Sequence, residues 1–162
     1  MILLDADVIL IDRKFTTDNR YAINRAALDR LRVDLHTVAM VAHAVLEVVG
    51  VMSHGTPAAD VPLIPDALRS LFGILIIPSP AVDPNYAQST FEELLLQMSH
   101  KMSLGDAVQA VQVAKFASPA DTLLTWNAKH FRGKLTVPVL TPEEWLQQQP
   151  PARTTSPTGP TP

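Results

Sequence analysis

Apolar positions recur along the first 149 residues in two rhythms. Residues 2 to 11, ILLDADVILI, are a near-continuous apolar run that reads as a buried strand, interrupted only by Asp5 and Asp7. Residues 20 to 32 carry Ile23, Ala27 and Leu31 at four-residue spacing and predict a helix. A short strand follows at 36 to 40, then a helix over 41 to 53 with Val41, Val45, Val48, Val49 and Met52 on one face. The run ILII at 74 to 77 predicts a third strand, closed by Pro78 and Pro80.

Residues 90 to 99 predict a helix with Phe91, Leu94, Leu95 and Met98 inward, opened by a capping box of Ser89 and Glu92. The next helix spans 104 to 117 and carries a small-residue stripe of Ala107, Ala110, Val111 and Ala114. TLLTW at 122 to 126 and VPVL at 137 to 140 read as strands, before a last turn or helix opened by Thr141, Pro142 and Glu144. Strand and helix alternating in this way predict an α/β sandwich with a mainly parallel sheet, whose ligands sit beyond the carboxyl ends of the strands.

Composition adds limits to that picture. The body, residues 1 to 149, shows no repeat or linker and is expected to form one domain. Residues 150 to 162, PPARTTSPTGPTP, hold no large apolar side chain and are expected to be a disordered tail. The absence of cysteine excludes disulfides, thiolate zinc sites and cysteine nucleophiles, and fits a cytoplasmic protein. No apolar run is long enough for a membrane span, and the opening residues lack the basic region of a signal peptide. A net charge of -3 means that a polyanionic substrate would need a local basic patch or bound metal.

The two aspartates in the first apolar run draw attention because a carboxylate is costly to bury unless paired, hydrogen-bonded or bound to a cation. Asp5 falls at or near the carboxyl end of the first strand, where acids from other elements can converge on it. Glu47 lies mid-helix but off the apolar stripe, Asp106 lies in the first turn of its helix, and Asn127 follows TLLTW directly. Such a set of oxygen donors suits a hard cation, Mg²⁺ or Mn²⁺. Each also has an ordinary explanation. Asp106 after Ser103 is a helix-capping pattern, Glu47 with His43, Gly50 and His54 is a solvated stripe, and Asp7 either faces solvent or hydrogen-bonds the next loop. A zinc site of His43, Glu47 and His54 is a further, minor alternative.

Four segments resemble the PIN-domain nucleases, the family that includes the VapC-like toxins of bacterial toxin-antitoxin pairs. They are LLDADVIL, VAHAVLEVVGVMSHG, MSLGDAVQAVQVAKF, and TLLTWNAKHF with VPVLTPEEWL, the last being the most specific. The resemblance covers nearly all of residues 1 to 149. It implies a PIN-like three-layer sandwich and metal-dependent hydrolysis of RNA phosphodiester bonds. On it, Asp5, Glu47 and Asp106 are the metal-binding acids, and Asn127 stands where the family usually carries a fourth acid. Asn127 and Thr125 would position the hydration shell of the metal, while Lys129, His130, Arg132 and Lys134 form a basic strip for an RNA backbone. Trp126 either stacks a base or points into the core. The resemblance also implies a homodimer and a small antitoxin partner.

Two other readings stand beside this one. Asn127 favours a PIN-like module whose weakened site only binds RNA or protein. LLDADVIL is also similar to the first motif of haloacid-dehalogenase-type phosphatases, with Asp5 as nucleophile and Asp7 as general acid, but the expected later acid is Ala110.

Overall fold

The computed structural model describes residues 1–80 and 89–150. The tail expected to be disordered therefore lies outside the described residues, Pro150 excepted.

The chain opens on a very short strand, β1 (Ile2–Leu4), that turns at Asp5 directly into helix α1 (Ala6–Arg13). The expected ten-residue strand is thus corrected to three residues of strand and eight of helix. The cause is local. Asp5 has extended backbone angles, and its carboxylate accepts the Ala6 N–H at 2.7 Å, which caps the helix. The helix then buries Ala6, Val8, Ile9, Leu10 and Ile11, and Asp12 with them, so burial runs round nearly its whole circumference and no amphipathic period marks it in the sequence.

Helix α2 (Tyr21–Val33), strand β2 (Val38–Val41) and helix α3 (Ala42–Ser53) follow close to expectation. A 3-10 turn at Val61–Leu63 and helix α4 (Ile64–Phe72), neither expected, lead through Gly73 to strand β3 (Leu75–Ile77). Gly73 adopts a positive φ of 65° at the end of α4, a left-handed turn that glycine enters without steric cost.

Helix α5 (Phe91–Ser99) is capped one residue later than expected, by Thr90 and Glu93. Its expected inward face is only partly covered: Leu94 is half-buried, while Phe91 is 70% exposed and Leu95, Leu96 and Met98 also face outward. Helix α6 (Leu104–Phe116) buries Ala107, Ala110 and Val111 of its small-residue stripe but leaves Ala114 exposed. Strand β4 (Thr122–Leu124), the single-turn helix α7 (Ala128–Phe131), strand β5 (Val139–Leu140) and helix α8 (Pro142–Gln148) complete the described chain. The capping box of Thr141 and Glu144 at α8 is formed.

The five strands are all parallel, in the order β3-β2-β1-β4-β5. Flanked by helices, they make an α/β fold, as expected. Every residue of β1 and β2 is buried, which is how strands covered on both faces behave. From β1 the chain runs to β2 and β3 on one side and to β4 and β5 on the other, so its direction of growth reverses between β1 and β4. That reversal leaves a crevice beyond the carboxyl ends of β1 and β4, where Asp5 and Thr125 stand. No helix among the described residues is long and apolar enough to cross a membrane.

Candidate active site

Asp5 extends the β1–β4 ladder by one backbone bond, its N–H donating to Leu124 O at 3.0 Å, before its side chain turns into the crevice. It is 5% exposed. Its Oδ1 accepts the Ala6 N–H and the Gln109 Nε2–H at 3.1 Å; its Oδ2 accepts the Thr125 hydroxyl at 2.6 Å. Burial raises the Asp5 pKa above the ordinary value of 3.8, these three donors pull it back, and the charge of Asp106 raises it further.

Asp7, in the first turn of α1, faces the chain beyond β4. Its Oδ2 accepts the Trp126 N–H at 3.0 Å and lies 3.3 Å from Thr125 Oγ1. Thr125 has one hydroxyl proton, and the shorter distance assigns it to Asp5. Thr125 Oγ1 in turn accepts the Asn127 N–H at 3.0 Å. Asp7 therefore bonds the next loop, one of its two expected roles. Burial, and after it the charge of Asp5, holds the Asp7 carboxyl well above its usual pKa.

Helix α3 brings His43 and Glu47 to the same crevice, one turn apart. The His43 N–H donates to Gln112 Oε1 at 2.9 Å, which ties the start of α3 to α6. Desolvation, then Asp5 and Asp106, raises the Glu47 pKa; desolvation lowers that of His43 against the pull of the same two acids. Asp5, Glu47 and Asp106 thus act on one another electrostatically across a single hollow. At the start of α6 the helix cap is Ser103 Oγ, which accepts the Asp106 N–H, whereas the Asp106 carboxylate lies 3.3 Å from His130 Nδ1. The acid does more than satisfy helix donors.

The remaining expected residues are distributed unevenly. Asn127 is exposed at the start of α7, with its backbone bonded to Thr125. Lys129 and His130 are exposed near it. Arg132 is ion-paired with Glu144 and donates from Nε to Val139 O, so it braces α7 against the start of α8. Lys134 is half-buried. Trp126 donates its indole N–H to Asn24 Oδ1 at 2.9 Å and lies under the Arg20 guanidinium, 5.5 Å from the ring centroid. It is packed against α2, the second of its two expected placements.

The donor set fits a hard divalent cation by its chemistry: carboxylates dominate it, and no lysine or arginine is paired to Asp5, Glu47 or Asp106 in the described ion pairs. One carboxylate oxygen beside it, Asp7 Oδ1, is buried with no hydrogen-bond partner among the described residues. The donors are not gathered into a ready cage, since among the described residues no three His, Asp or Glu side chains are grouped closely enough to hold a metal. The same observation speaks against the zinc set of His43, Glu47 and His54.

Two participants escaped the sequence reading. Gln109 and Gln112 are both buried on α6, three residues apart and spaced at three-residue intervals from Asp106. Polar residues at that interval inside an apolar helix form one inward face, and this was the available signal.

Solved structures share the architecture. A chain of the structure of FitAB bound to the IR36 DNA fragment superposes with a TM-score of 0.55 at 19% identity, covering 88% of this chain and 96% of that one. A chain of the crystal structure of VapBC2 from Rickettsia felis, bound to a DNA fragment from their promoter, gives 0.52 at 17% identity over 87% and 98%. No family model and no curated sequence matches the chain. At these identities the likeness is one of fold, and the fold is PIN-like.

Proposed function

We propose that this chain is a divalent-metal-dependent endoribonuclease of PIN type, the toxin of a toxin-antitoxin pair. The observation that carries the proposal is the position of Asp5. A buried carboxylate at the end of the central strand, at the point where the sheet reverses, shares its field with Asp106 and Glu47 and has no cationic partner among the described ion pairs. Structural ion networks neutralise such groups; a cluster of acids left with a net negative charge suits a cation-binding hollow.

Asp5, Glu47 and Asp106 would hold the cation, Mg²⁺ or Mn²⁺. Once bound, such an ion lowers the pKa of an attacking water and stabilises charge on phosphate oxygens. The protein's own contributions are separable from this. Thr125 and Gln109 fix the Asp5 carboxylate, Asp7 holds the Thr125–Trp126 turn, and burial, then Asp5 and Asp106, raises the Glu47 pKa, which favours a proton on that carboxyl. Lys129 and His130 stand exposed beside Asp106 to meet an RNA backbone.

An antitoxin partner is supported by the two neighbours, which are FitAB and VapBC2 bound to DNA. A homodimer belongs to the same proposal. The exposed apolar side chains of α5, Phe91, Leu95, Leu96 and Met98, offer a partner chain a surface to cover.

The test is cleavage of a panel of structured and single-stranded RNA by the full chain, with Mn²⁺ or Mg²⁺ against EDTA, beside Asp5→Asn. Asparagine caps helices as well as aspartate, so this variant keeps the start of α1. Cleavage that needs metal and vanishes in the variant is the expected result; metal-independent cleavage, or full activity in Asp5→Asn, overturns it. The ungathered donors and the neutral Asn127 favour a second reading, a PIN-like module that binds RNA without cutting it. RNA retention without turnover would select that reading.

The phosphatase alternative is weakened by Asp7. Its Oδ2 is occupied by the Trp126 N–H, so although it lies near Asp5 it is engaged in holding the loop after β4.

A further inference from the structure

A carboxylate offers about four acceptor positions, two on each oxygen. Three of those on Asp5 are filled. Oδ1 takes two donors, the Ala6 N–H at 2.7 Å and the Gln109 amide at 3.1 Å; Oδ2 takes one, the Thr125 hydroxyl at 2.6 Å. Only one of the three comes from a group whose function is not otherwise demanded. The Ala6 N–H is an orphan donor at the start of α1 and would need a cap in any case, and the Thr125 hydroxyl also organises the turn to Asn127. The Gln109 side chain has reached Asp5 from another element, 104 residues away, on the α6 face that also carries Asp106 and Gln112.

We infer that Gln109 sets which divalent cation the site accepts, by filling the second acceptor position of Asp5 Oδ1 and so leaving Asp5 one open position, on Oδ2. The inference rests on the metal-dependent reading above and deepens it. A carboxylate limited to one oxygen is a monodentate ligand. Small cations that demand near-octahedral coordination, Mg²⁺ and Mn²⁺, accept such a ligand readily; Ca²⁺ has room for more oxygens and commonly takes carboxylates through both. Gln109 therefore disfavours Ca²⁺ at Asp5 without carrying a charge of its own. Its burial, at 2% exposure, keeps water from taking its place at Oδ1. Gln112 supports the arrangement by holding α6 to the start of α3 through the His43 N–H at 2.9 Å, which fixes the rotation of α6 about its axis.

Gln109→Met and Gln109→Leu each keep the volume of the side chain and remove the donor. Mn²⁺ binding to the full-length chain is followed by electron paramagnetic resonance, with Ca²⁺ and Mg²⁺ as competitors, so no turnover is needed. In the parent chain Ca²⁺ should compete poorly. In either variant the ratio of Ca²⁺ to Mn²⁺ dissociation constants should fall by about 10-fold, the lower end of the effect of losing an outer hydrogen-bond partner of a metal ligand. A merely structural role for Gln109 would weaken both ions together. An unchanged ratio in variants that retain the parent's circular dichroism and thermal midpoint overturns the inference while leaving the nuclease reading intact. Failure of the parent chain to bind Mn²⁺ at all overturns that reading first.

Discussion

Thr125 and Asp5 are 120 residues apart in the chain and 2.6 Å apart in the fold, with the hydroxyl donating to Asp5 Oδ2. Thr125 is fully buried and Asp5 is 5% exposed, so the bond forms largely away from solvent. The contact joins the carboxyl ends of neighbouring parallel strands and determines which way the Asp5 carboxylate faces.

Thr125→Val preserves the shape of that side chain and deletes its hydroxyl. Asp5 Oδ2 then loses its donor, and the Asn127 N–H loses its acceptor. Leaving buried polar groups unpaired costs about 1–3 kcal/mol, so urea denaturation should show a loss of that size. A midpoint equal to the parent's would mean that water or another group satisfies both atoms.

Asp106→Asn separates the helix-capping role of this residue from its chemical one. The Ser103 cap accepts a backbone N–H that the substitution leaves in place, so the thermal midpoint should stay close to the parent's. RNA cleavage should drop to background, because the negative charge that Asp106 places on the hollow is gone. Retained cleavage would remove Asp106 from the site.

Asp7→Asn should stabilise the protein at neutral pH. The folded-state pKa of Asp7 is raised well above 3.8, so between 3.8 and that raised value the native state holds a proton that the unfolded chain has lost. Stability therefore falls as pH rises through this window, and the loss is complete above the folded pKa. Asparagine has no such titration, while its oxygen can still accept the Trp126 N–H. Denaturation at pH 4 and pH 7 should show the advantage of the variant growing with pH; a constant difference would contradict the assignment.

Asn127→Asp restores a negative charge at the position the family resemblance assigns to a fourth acid. Mn²⁺ affinity should rise, by about 10-fold if one carboxylate is added to the ligand set. An unchanged titration would place residue 127 outside the metal's reach.

The elements legible in the sequence were those with one apolar face and ordinary punctuation. Helix α3 shows its stripe, and α8 announces itself through Thr141, Pro142 and Glu144. Helix α1 was hidden because an element buried on nearly all sides has no polar face to give it a period, and a strand and a helix then look alike. The capping box of α5 was misplaced by one because both Ser89 with Glu92 and Thr90 with Glu93 satisfy the pattern; only the backbone decides between them. Its apolar face was read as core, yet periodicity shows that a face is apolar without showing what covers it. Within the site, the carboxylates stood out because their burial demands an explanation. The glutamines that orient them did not, since a neutral amide in a helix carries no comparable signal until the fold reveals its partner.

The face of α6 that carries Asp106, Gln109 and Gln112 has a consequence for how this chain can vary in length. The three side chains reach His130, Asp5 and the His43 N–H from successive turns of one helix. A single residue inserted between Asp106 and Gln109 would rotate everything beyond it by about 100° and swing both glutamines away from their partners. Inserted residues in the segments between elements leave this alignment untouched. The start of α6 therefore behaves as an indexed shaft: among related chains its spacing should be invariant even where the residues themselves change, and the tolerated differences in length should fall elsewhere.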